Sequence, residues 1–126
     1  MTLSIVRLEL ARTPEFPDGS SLHGYEFVAP LTPEGHLDAE GWKKHRKRCR
    51  VRRFWEGEPT EQGHLVHRRG GTWAFHYDVL GDPEEDEPGF KFDQHVFKEG
   101  EYVSLREQDG ELRTFRVVSI KPAPET

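Results

Sequence analysis

The sequence predicts a mainly β fold, a small antiparallel barrel or sandwich with one short helix, in a single domain over residues 1–126. Three observations predict it. Short apolar–polar alternations recur along the chain between clusters of Gly, Pro, Asp and Ser. The segment Glu101 to Ile120, EYVSLREQDGELRTFRVVSI, reads as two strands joined at Asp109-Gly110. That dipeptide suits a tight hairpin, because Gly tolerates positive φ and Asp resists it least. Aromatic residues make up 11% of a chain that is only 33% hydrophobic, so the expected core is small and built on rings.

The elements follow in order. Ser4 to Arg12 alternates, with Val6, Leu8 and Leu10 on one face and Ile5, Arg7 and Glu9 on the other, as in a half-buried strand. The loop Thr13 to Ser21 leads to a second strand, Gly24 to Pro30, with Pro30 at its end or at a sheet edge. Asp38 reads as the N-cap of the one helix, about Ala39 to Lys47. Glu40 in its first turn and Arg46 and Lys47 in its last complement the macrodipole. Trp42, His45 and Cys49 fall at helical spacing, and Gly41 weakens the helix by about 1 kcal/mol relative to Ala.

Cys49 to Glu56 reads as a strand, with Cys49, Val51 and Trp55 alternating with Arg50, Arg52 and Phe54. His64 to Arg69 and Thr72 to Val79 read as a hairpin across Gly70-Gly71. Asp82 to Pro88 is an acidic loop, and Phe90 to Phe97 a strand broken near Asp93. This makes about seven strands and one helix, with no internal repeat. In the last hairpin a two-residue turn would set Leu105 against Thr114. A shifted register sets Val103 against Val117, Leu105 against Phe115 and Glu107 against Arg113. The shifted register matches apolar with apolar and acid with base, and is expected together with a three-residue turn or a bulge near Gly110.

Composition bounds function. A net charge of −5 weighs against a dedicated nucleic-acid binder. The single cysteine, Cys49, rules out an internal disulfide and a metal site made only of thiolates. The start of the chain lacks a signal-peptide pattern, and no apolar run approaches the roughly 18–20 residues that span a bilayer. A cytoplasmic protein without a membrane partner is expected.

Two residue sets are candidates for binding. In Lys43 to Arg53, KKHRKRCRVRR, eight of eleven residues are Lys or Arg. Lys43, Lys44, Arg46, Lys47, Arg50 and Arg52 would contact an anion or nucleic acid, with Trp42 and Trp55 stacking on bases. The competing reading is a solvated helix end and outward strand positions, with the acidic run 82–87 lying over the cations and cancelling part of their field. An anionic ligand or an acidic protein is expected as readily as nucleic acid, which the net charge disfavours.

The second set is His67, His76 and Asp78. A two-residue Gly70-Gly71 turn pairs Arg69 with Thr72, His67 with Ala74 and Leu65 with His76. It puts His67, His76 and Asp78 on one face, a two-histidine, one-carboxylate set able to hold a ligand or a divalent metal. His64, Val66, Arg68, Trp73, Phe75 and Tyr77 would then face the core. The competing reading is a pair of ordinary half-exposed strand histidines. His64 and His67 alone are poorly spaced, since residues three apart on a strand face opposite sides.

Cys49, alternating with Val51, is expected to be buried and inert despite its arginine neighbours. Ser20, Ser21, Ser104 and Ser119 lack a nucleophile-elbow setting, and no glycine loop is built to cradle phosphate. No cofactor is implied. The expected function is a non-enzymatic binding module presenting the basic helix–strand segment. The alternative is a small enzyme or metal-binding protein using His67, His76 and Asp78. A homodimer through a sheet edge is a further expectation.

The tail Glu101-Tyr-Val-Ser-Leu-Arg-Glu … Asp-Gly-Glu-Leu-Arg-Thr-Phe-Arg-Val-Val-Ser-Ile, with His64-Leu-Val-His-Arg … Gly-Thr-Trp-Ala-Phe-His-Tyr-Asp, resembles a small family of bacterial proteins with no assigned function. The resemblance covers the C-terminal half and implies no reaction, cofactor or ligand. Lys98-Glu-Gly-Glu-Tyr-Val-Ser-Leu, with the strand ending Arg116-Val-Val-Ser-Ile, is similar to closing hairpins of PUA and SH3-like barrels, some of which bind RNA.

Overall fold

Period-two alternation is realised as a sheet closed on itself. The computed structural model describes residues 2–68, 71–78, 87–90, 92, 95–107 and 110–124. Its strands are β1 (Thr2–Leu10), β2 (Ser20–Leu31), β3 (Arg50–Trp55), β4 (Glu61–His67), β5 (Trp73–Tyr77), β6 (Glu87–Phe90), β7 (Tyr102–Arg106) and β8 (Leu112–Pro122). Each is antiparallel to the next, and β8 returns to pair with β1, so the strands form a closed barrel rather than a sandwich. Register breaks at Glu9/Leu10 and Arg7/Leu8 bend β1, as closing a sheet requires. Because β1 and β8 pair with each other, neither is left as a free edge for the dimer expected above.

The barrel is filled by rings. Val6, Leu8 and Leu10 point inward as expected, against Tyr25, Phe27, Phe75, Tyr77, Phe97 and Phe115, all essentially inaccessible. Tyr25, Phe27, Phe75, Phe92, Phe97 and Phe115 form a chain of contacts with centroids 5.1–6.1 Å apart. Edge-to-face pairs of this kind add to what their area alone contributes.

The helix α1 (Ala39–His45), followed by a 3-10 turn at Arg46–Arg48, carries the chain from β2 to β3. Asp38 caps it as expected, its carboxylate accepting from the backbone N–H groups of Glu40 (3.1 Å) and Gly41 (3.2 Å).

Three expectations are corrected. The strand expected over Phe90–Phe97 is Glu87–Phe90 instead, and residues 95–98 are irregular. Phe92 and Phe97 are both buried though an odd number of residues apart, which one regular strand cannot achieve on one face. The other two concern hairpin registers; the three-residue turn expected near Gly110 is present. In the β4–β5 hairpin, Arg68 N–H donates to the Thr72 carbonyl (2.8 Å) and Gly71 N–H to the Arg68 carbonyl (3.2 Å), with Gly71 at φ +84°. The β7–β8 hairpin repeats the pattern with Glu107, Glu111 and Gly110, also at φ +84°. Both connections are three residues long and end on a left-handed glycine.

The consequence is a one-residue slip in the first hairpin, which pairs His64 with His76, Leu65 with Phe75 and His67 with Trp73. In the last hairpin Val103 opposes Phe115 and Leu105 opposes Arg113. That is two residues from the favoured register, so the inward faces stay as expected. The acidic residues 82–86, and with them the question of whether they cover the basic run, lie outside the described residues.

Candidate functional site

The slip decides which side chains can meet. Leu65, Trp73, Phe75 and Tyr77 point into the core, while Gln62, His64, His76 and Asp78 share the outer face. His67 leaves the set expected for it: its ring stacks on Trp73 at 4.2 Å and meets Trp42 edge-on at 6.0 Å. His67 therefore cannot share a ligand with His76 and Asp78. His64, expected in the core, takes its place on the outer face, opposite His76. Among the described residues no group of three or more His, Cys, Asp or Glu side chains is placed to hold a metal ion.

A closed polar triangle fixes His64. Arg50 approaches His64 Nε2 at 2.9 Å through one guanidinium nitrogen and Asp78 Oδ2 at 2.9 Å through another. His64 Nδ1 lies 3.4 Å from Asp78 Oδ1. Arginine only donates, so Nε2 accepts and the ring proton sits on Nδ1, toward Asp78. The Arg50 hydrogen bond holds the Asp78 carboxyl below the usual carboxylate range, with desolvation opposing and the Arg50 charge adding to it.

The close approach of β4 to β5 beneath this triangle depends on Gly63. A Cβ there would lie 2.0 Å from the His76 carbonyl oxygen.

Beside the triangle a groove of about 320 Å³ runs between the helix and β4–β5. Trp42 and Val66 line it with carbon, Arg46 and Lys47 with charge, and His64 and His76 form its strand side. The two candidate sets thus meet, each in part. Arg46 and Lys47 are exposed and form no ion pair among the described residues. The other predicted cations are more committed. Lys43 pairs with Glu40 at 3.7 Å, Arg50 with Asp78 at 2.9 Å, and Arg52 approaches Glu26 at 3.9 Å. Lys44 is exposed at the helix surface outside the groove.

Trp42 is held rigidly. Its indole N–H donates to the Leu65 carbonyl (2.8 Å), and its ring makes a T-shaped contact with Trp73 at 6.1 Å. Trp55, expected to stack on bases, is instead packed among His23, Phe115, Arg53 and Arg113.

A second polar cluster lies inside the barrel: sequence reasoning matched Glu107 with Arg113, and missed that Tyr25 and Arg53 join them. Glu107, with only 3% of its side chain exposed, accepts from Tyr25 Oη (2.6 Å) and Arg113 (2.7 Å), and Arg53 lies 3.5 Å away. Arg53 also pairs with Glu58 at 3.1 Å. The available signal was the phase of Arg53, which falls between Val51 and Trp55 on the inward alternation.

A Ser20–His23 contact of 2.7 Å also appears, but Ser20 Oγ also accepts the Leu22 N–H, as in a local turn. His23 is buried between Phe16 and Trp55. Cys49 is fully buried, and burial pushes its thiol up to about 11, with Arg48 partly opposing.

No family model, curated protein or solved structure matches this chain. Its site therefore rests on geometry alone. No described helix is long and apolar enough to cross a membrane.

Proposed function

We propose that the protein is a binding module whose groove between the helix end and β4–β5 holds a small anionic ligand. One observation carries the reading: Arg46 and Lys47, cations without an acidic partner among the described residues, face His64 and His76 across a concave surface. Asp78, beside the groove on the outer face, is paired with Arg50.

A long polyanion is favoured less. Lys43, Arg50 and Arg52 each have an acid within 4 Å, which shortens the cationic track a nucleic-acid strand would follow. The net charge of −5 opposes it further. A compact anion needs only the two cations Arg46 and Lys47.

The test is an NMR titration with pyrophosphate at low and moderate salt. Shifts are expected at His64, His76 and the Trp42 indole, weakened by salt and lost in Lys47→Glu. Unmoved histidine and indole signals at low salt would remove the reading.

A further inference from the structure

We infer that the ligand of this groove carries a flat aromatic ring next to its anionic group, as in an aryl phosphate or a nucleoside monophosphate. The inference rests on the anion reading above and supplies the other half of the molecule. The groove is two-sided: Arg46 and Lys47 bring charge, while Trp42 and Val66 bring carbon. A bare inorganic anion would leave the carbon side wet.

Rigidity points to a ring rather than an alkyl chain. Trp42 is fixed by its bond to the Leu65 carbonyl and by T-shaped contacts with His67 and Trp73. The His64 ring is fixed by Arg50 and by Asp78. Two immobilised flat side chains, one from the helix and one from β4, thus line one groove. Such walls lose little entropy when a flat ligand settles on them, and stacking makes use of their faces. The Trp42 orientation is set before any ligand arrives. At about 320 Å³ the space suits one ring with one phosphate, and a dinucleotide would overfill it.

The experiment compares inorganic phosphate, glycerol phosphate, phenyl phosphate and adenosine monophosphate as probes, followed by Trp fluorescence and NMR on the full chain. Phenyl phosphate or adenosine monophosphate should bind about tenfold or more tighter than glycerol phosphate, the order of one stacked ring. Trp42→Leu should bring that ratio close to one. Equal affinity for phenyl and glycerol phosphates overturns the ring inference while the anion reading stands. Failure of every phosphate to bind overturns both. Should Trp42→Leu not fold, the ratio measured on the wild-type protein decides alone.

Discussion

Replacing Glu107 by Gln tests the interior electrostatics most directly. The change keeps the shape and removes one charge. The carboxylate lies within 2.6 Å of Tyr25 Oη, 2.7 Å of Arg113 and 3.5 Å of Arg53. A carboxamide has one acceptor oxygen, so it can face the guanidinium groups or the tyrosine donor but not both. A charge-assisted hydrogen bond contributes about 1.5–3 kcal/mol net, and breaking a buried pair costs about 3–5 kcal/mol. Arg53 keeps Glu58 at 3.1 Å and Glu61 at 3.9 Å, which pulls the expected loss to the lower end, about 3 kcal/mol. Set against a total stability of about 5–15 kcal/mol, that is a large fraction.

Urea unfolding followed by Trp fluorescence reads the loss. With a slope of about 2 kcal/mol/M, the midpoint should fall by about 1.5 M at unchanged slope. Tyr25→Phe removes one donor and leaves the carboxylate with its arginines, so its cost should be smaller, about 1–2 kcal/mol. A loss below about 1 kcal/mol in Glu107→Gln, or a larger loss in Tyr25→Phe, would refute the reasoning.

Three further outcomes are expected. Gly63→Ala should cost about 2 kcal/mol or more in chemical unfolding, because its new methyl meets β5 backbone, which cannot swing aside. Cys49 should resist a thiol reagent at mildly alkaline pH in the folded protein and react at once in guanidinium. Its raised folded value means the unfolded thiol ionises first, so stability should fall between about pH 9 and about pH 11, by at most about 3 kcal/mol from this group; a flat profile there counts against burial of the thiol. Asp78→Asn should free Arg50 and strengthen pyrophosphate binding in the groove several-fold; unchanged or weaker binding would show that Arg50 does not contribute to its field.

Much of the frame was legible because it follows from local rules. The inward phase of Val6, Leu8 and Leu10, the Asp38 cap and the inward-facing Cys49 needed only alternation and a capping preference. The candidate groove was half legible. Arg46, Lys47 and Trp42 stood out by composition, yet nothing local said that they would face His64 rather than His67. Arg53 was passed over because a basic residue on an inward phase is read as exposed until a partner such as Glu107, far away in sequence, is known.

By itself, the sequence determined that this chain forms antiparallel strands around aromatic rings with one capped helix, since side-chain period and propensity act over a few residues. Tertiary structure alone decided the registers, the β1–β8 closure and the company each charge keeps. The physical reason is that one extra loop residue, ending on the left-handed Gly71, changes which distant residues oppose one another, and in the β4–β5 hairpin it turned His64 outward and His67 onto Trp73.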